Sequence, residues 1–112
     1  MAKYIPAKGD FVILTFDPQT GHEQMGRRPA LVISNSTFNR HTGLCVACPI
    51  TSTDRNIPFH LPIPSGCGIQ GIVMADQLKS LDFRARKVQF MEKAPLEVLK
   101  DVLAVIEAII YQ

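Results

Sequence analysis

The sequence predicts a mainly β fold: a small, strongly curved antiparallel sheet, partly closed like an SH3-type barrel, with short helices and a C-terminal helix packed on it. Three observations predict it. Several short runs are rich in β-branched and aromatic residues, and Gly, Pro or Asp bounds each of them. A closing segment after Pro95 carries its apolar residues at helical spacing instead. At 112 residues the chain makes one domain, 1–112, of a size that buries roughly two-thirds of its unfolded surface.

Taken in order, residues 1–8 lead in, and Pro6 and Gly9 punctuate the start of a first strand over residues 10–16. Residues 17–21 hold strong turn formers, with Pro18 pre-setting φ and Gly21 free to take positive φ. A second strand, residues 30–34, is nearly all apolar, so both of its faces should be covered. Residues 35–40 open with cap-type side chains and predict a single helical turn. The third strand follows over residues 44–50, and residues 51–56 form a polar loop rich in hydroxyls. Residues 59–64 alternate, but their prolines cannot donate to a ladder, which predicts an edge strand. A strand over residues 71–75 ends at Asp76-Gln77, residues 78–85 fit either a helical turn or irregular chain, and residues 87–91 read as the last strand.

Pro95 suits the first turn of a helix, where its missing N–H is not needed. Leu96, Leu99, Leu103, Ile106 and Ile110 form one stripe, and Val98, Val102, Val105 and Ile109 a second. One sheet face does not cover two stripes, so a homodimer contact is expected, with burial under a loop of the same chain as the alternative.

The longest apolar runs are shorter than the ~20 residues that cross a bilayer, and the first residues lack the apolar core of a signal peptide. A cytoplasmic address is the expectation. Three cysteines, an odd count, argue against a disulfide framework. Cys45-x-x-Cys48 suggests zinc, with His41 and His60 as partners, but residues three apart on a strand face opposite ways. Buried free thiols and no metal or cofactor are therefore expected.

Net charge is only +2, yet residues 27–87 carry eight basic and three acidic side chains, an excess of five. That suits a polyanion, or simply a solvated basic surface. Within this region the loop between the first two strands is about a dozen residues long, against ~2–5 for an ordinary hairpin. It holds Gly21, His22, Glu23, Gln24, Gly26, Arg27 and Arg28 ahead of Pro29.

Cutting RNA without a metal needs a base for the 2′-hydroxyl, an acid for the departing 5′-oxygen, and a fixed cation for the phosphate. Arg28 offers the cation and Thr51 a hydroxyl donor, while Glu23, Asp76 and His22 can move a proton. Each also has a structural use. Arg28 can cap strand-edge carbonyls, Glu23 can pair with Arg27 or Arg28, Asp76 can tie down its turn, and His22 can lie exposed. Unpaired bases are read by stacking and edge hydrogen bonds, for which Gln24, Arg27, Asn39, Arg55, Asn56, Gln77, Lys79 and Arg86 are candidates. Phe16 fits either stacking or the core.

The series Phe16-Asp17-Pro18, Gly21-His22-Glu23-Gln24, Gly26, Arg28-Pro29-Ala30, Asn35, Phe38-Asn39, Pro49, Thr51 and Ala75-Asp76-Gln77 resembles the MazF/PemK/Kid family of toxin ribonucleases in order and spacing. The resemblance implies a compact β-barrel with packed helices, working as a dimer. It implies sequence-specific, metal-free cleavage of single-stranded RNA to 2′,3′-cyclic phosphate and 5′-hydroxyl ends. It also implies an antitoxin that covers the RNA groove with an acidic, flexible segment. Carried over by position, the family's catalytic pair falls on Arg28 and Thr51, its loop glutamate on Glu23, its Asp-Gln on Asp76-Gln77, and a histidine of some members on His22. In one respect the chain departs: Met74 stands where some members place an Arg two residues before the Asp, which favours Arg28 as acid or phosphate clamp. Two other readings stay open, a CcdB-like non-catalytic toxin that binds DNA gyrase and a plain single-strand RNA-binding module.

Overall fold

In the computed structural model, which describes residues 3–16 and 26–112, seven strands join one antiparallel sheet. They are β1 (Asp10–Thr15), β2 (Arg27–Val32), β3 (Leu44–Thr51), β4 (His60–Pro62), β5 (Ile72–Met74), β6 (Lys79–Asp82) and β7 (Gln89–Lys93). The order is β4-β5-β3-β2-β1-β7, with β6 also paired to β3. β3 accepts three partners because it is long. Its Leu44–Ala47 half pairs with β6, its last two residues pair with β5, and residues 47–49 pair with β2. The path ends at β4 and β7, so the curl is not closed.

Strand alternation sends neighbouring side chains into two cores. Phe11, Leu31, Cys48, Ile50 and Val73 enter the larger core, where Val98, Leu99, Val102 and Ile106 of the C-terminal helix meet them. Val12, Leu14, Ala30, Val32, Cys45, Ala47, Leu81 and Phe83 fill the smaller one. The apolar second strand is thus covered on both faces, as its composition requires. Cys45 and Cys48 fall into different cores, on opposite faces of β3.

Several boundaries differ from the sequence reading. β2 begins at Arg27 rather than residue 30, because Arg27 and Arg28 pair with Thr15 and Leu14 of β1. The expected single turn is a seven-residue helix, α1 (Ser36–Thr42). Asn35 Oδ1 accepts the Phe38 N–H at its start, and Gly43, at φ 74°, turns the chain out at its end. Residues 79–82 are a strand, not a helical turn, because they find the free edge of β3. β4 is an end strand, which its prolines demand.

The C-terminal helix, α2 (Leu96–Tyr111), buries Val98, Leu99, Val102 and Ile106, a face drawn from both expected stripes. Leu96, Ile109, Ile110 and Tyr111 remain exposed. Among the described residues no helix is long and apolar enough to cross a membrane.

Candidate active site

Arg28 and Thr51 meet through strand register. β2 and β3 pair at Ala30 and Pro49, and counting two residues further along each strand brings Arg28 level with Thr51. Alternation puts Arg28 on the face of Ala30, and Thr51 on the face of Pro49. Both line one cleft of about 670 Å³, within the roughly 300–1,000 Å³ usual for ligand sites. Arg28 is exposed there, and Thr51 is half-buried.

The Thr51 hydroxyl accepts the Thr53 N–H at 3.2 Å, which leaves its own proton for an outside acceptor. The next turn is shaped by Asp54, whose carboxylate accepts the Asn56 N–H at 2.8 Å, with Asn56 at φ 53°. That turn carries Arg55 into the cleft as a second guanidinium. Arg28 and Arg55 are the charged side chains among the described residues lining the cleft, so that lining carries a positive formal charge.

Gly71 lets the third wall approach. A Cβ on Gly71 would stand 2.6 Å from the Thr51 carbonyl oxygen, and its φ of 133° is strained for any L side chain. Only glycine lets the chain enter β5 this close to the end of β3.

His60 completes the cleft. It begins β4 directly across from Met74, and its Nε2 lies 2.9 Å from Asp76 Oδ1. Asp76 sits in a 3-10 turn, Ala75–Gln77, pinned by the bond from Ala75 N to Phe59 O at 3.1 Å. Gln77, from the same turn, lines the cleft with His60 and Met74. Sequence reasoning considered His60 only as a zinc partner. Its actual partner is sixteen residues away, and the signal that finds it is the β4–β5 pairing. The charge of Asp76 also reaches the Cys48 thiol, which burial first and that charge second push up to about 12.

The remaining expected residues divide. Glu23, His22 and Gln24 lie outside the described residues. Arg28, Thr51, Arg55 and Gln77 share the cleft, with Asp76 behind it on His60. Asn39 is fully buried, and its amide holds Pro6 O at 2.8 Å and Ser34 O at 3.1 Å while its oxygen accepts from Ser34 Oγ. Arg27 donates to Thr15 Oγ1 and to the carbonyls of Ile13 and Lys87. Arg86 donates to the carbonyls of Thr15 and Phe16. These three spend their polar groups on the chain itself. Lys79 is exposed above the Phe16 ring, 5.6 Å from its centroid.

A family model described as "PemK-like, MazF-like toxin of type II toxin-antitoxin system" matches residues 7–110. The endoribonuclease toxin MazF of Escherichia coli K12 is 41% identical over 86 residues, covering 77% of each chain. The crystal structure of MazF from Deinococcus radiodurans superposes with a TM-score of 0.88 at 43% identity, over 98% of this chain and all of that one. A MazE–MazF crystal structure from the same organism gives 0.85 at 38%, covering 96% of both chains.

Proposed function

This chain belongs to the PemK-like, MazF-like toxin family of type II toxin–antitoxin systems, and we propose that it cuts single-stranded RNA at a preferred sequence without a metal. The observation that carries the reading is the convergence of Arg28 and Thr51, from different strands, on one cationic cleft. The 2′-oxygen attacks the adjacent phosphorus as a base removes its proton, closing a 2′,3′-cyclic phosphate. The P–O5′ bond breaks opposite, and the departing oxygen takes a proton to become a 5′-hydroxyl.

Arg28 clamps the non-bridging oxygens with a forked guanidinium. The Thr51 hydroxyl donates to the same phosphoryl group as its charge grows. This pair supplies the fixed positive charge and the donor that a metal ion would otherwise provide. Glu23, Asp76 and His22 remain the candidates for the base. Arg55 and Gln77 stand where neighbouring nucleotides would pass.

The protein acts in the cytoplasm as a homodimer, joined through the apolar residues that α2 leaves exposed. A partner antitoxin silences it by laying an acidic segment along the same cationic cleft. The D. radiodurans MazE–MazF structure supports such a partner.

Incubation with a long single-stranded RNA in EDTA tests the reading. Wild type should give cyclic-phosphate ends, and Arg28→Ala should lower kcat on the order of 10²- to 10³-fold while melting like wild type, since the side chain is exposed. Near-normal turnover by Arg28→Ala removes the central assignment. Gyrase arrest or RNA binding without cutting would favour the two other readings.

A further inference from the structure

We infer that His60 is a positioning residue for this reaction, a buried donor that anchors the Asp76 carboxylate to the wall of the cleft in which Arg28 and Thr51 hold the nucleotide. The inference rests on the nuclease reading and extends it to a residue outside the expected set.

The pair is asymmetric. The His60 side chain is 2% exposed and that of Asp76 34%, so the imidazole, which lines the cleft, is the covered partner and the carboxylate bonded to it the more open one. A carboxylate only accepts, so the bonding proton sits on Nε2, which leaves Nδ1 as the ring's other nitrogen. That Nδ1 is buried and has no hydrogen-bond partner among the described residues. It has no open path to a substrate, which rules the imidazole out as the base in this conformation.

A buried nitrogen unpaired among the described residues costs stability that an apolar side chain in the same space would not. The imidazole therefore needs a reason beyond packing. Among the described residues no other side chain donates to Asp76: Met74, directly across from His60, offers only a thioether. The Cys48 thiol, held protonated by burial and by the charge of Asp76, adds no competing charge. His60 meanwhile lines the cleft of Arg28 and Thr51, so any turn of its ring moves Asp76 relative to them.

Steady-state cleavage of a short RNA by wild type, His60→Leu, His60→Gln, Asp76→Asn and the Leu/Asn double variant tests this. His60→Leu should lose about 10- to 100-fold in kcat with KM nearly unchanged, the scale of a misplaced catalytic group. His60→Gln should recover most of the rate, because its amide N–H falls where Nε2–H stood. In the Asp76→Asn background, His60→Leu should cost no more than about 2-fold further, since its effect runs through the carboxylate.

Should His60→Leu fail to fold, His60→Asn replaces it: its shorter amide cannot reach Asp76 and should behave as the Leu variant. Losses that multiply in the double variant overturn the inference, as does wild-type turnover by His60→Leu or Asp76→Asn. Wild-type protein that leaves RNA intact overturns the nuclease reading first and this one with it. Wild-type cleavage insensitive to His60 sinks the positioning role alone.

Discussion

Arg27 and Arg28 are adjacent in sequence and opposite in use. Alternation along β2 puts Arg27 and Arg28 on opposite faces of the sheet: Arg27 bonds Thr15, Ile13 and Lys87, and Arg28 enters the cleft. Composition marks both as basic, and only the strand register separates them. His60 escapes sequence reasoning for a related reason: its chemistry depends on a residue brought near by hairpin pairing, not by motif spacing. The cysteines were legible, because three-residue spacing on a strand fixes opposite faces. Burial pushes the Cys45 thiol up to about 11 and helps push Cys48 to about 12, from an ordinary 9.0. Between pH 9 and those values the folded chain keeps protons that the unfolded chain releases, so stability falls as pH rises. The slope is at most about 1.4 kcal/mol per pH unit for each thiol. Tyr4, whose phenol is raised well above 10.0 by burial and then by Asp10, steepens the loss above pH 10. Urea titrations at pH 8 and pH 10.5 should show the decline, and Cys45→Ser with Cys48→Ser should flatten it. Equal stability at both values would mean that the thiols ionise freely in the fold.

At the scale of elements, strands written as compact β-branched runs were readable to within a few residues, while pairing partners were not. β6 could not be told from a helical turn because residues 79–82 hold one buried side chain, Leu81, and otherwise face water. What makes it a strand is the free edge of β3, a tertiary fact. β5 shows how an element serves the site. Its entrance at Gly71 presses against the Thr51 carbonyl, so the hydroxyl's position depends on a missing methyl group. Gly71→Ala would put carbon 2.6 Å from that oxygen and also strain the backbone, so β5 must retreat or Thr51 must move. The expected result is a stability loss of about 2 kcal/mol, with kcat reduced at least about tenfold by displacement of Thr51. Chemical denaturation and cleavage rates measured together check both halves. Full activity in a destabilised Gly71→Ala protein would show that Thr51 tolerates the shift and is not held by β5.

Across the whole molecule, two cores occupy both faces of the central strands, and the larger takes only one side of α2. Leu96 at 63%, Ile110 at 61% and Tyr111 at 82% exposure leave both ends of that helix apolar in water. Periodicity showed that the helix carries more apolar surface than one sheet face covers. It could not show which residues would be left over, because the buried face mixes both stripes. In the proposed homodimer a second copy of the chain would cover the surplus: fully burying an aliphatic side chain yields about 1.5–3 kcal/mol, so a few on each side would stabilise an association. A dimer would also present two cationic clefts to one RNA or one acidic antitoxin segment. Sedimentation equilibrium should therefore find wild type near twice its 12.4 kDa chain mass. Ile110→Asp should shift it toward monomer without lowering the melting temperature of the isolated chain, because Ile110 contributes little to either core. A monomeric wild type at micromolar concentration, or an Ile110→Asp protein that dimerises as tightly, would place the contact elsewhere or remove it. If cleavage also falls on dilution in step with dimer dissociation, the second subunit contributes to holding the RNA as well as to covering the helix.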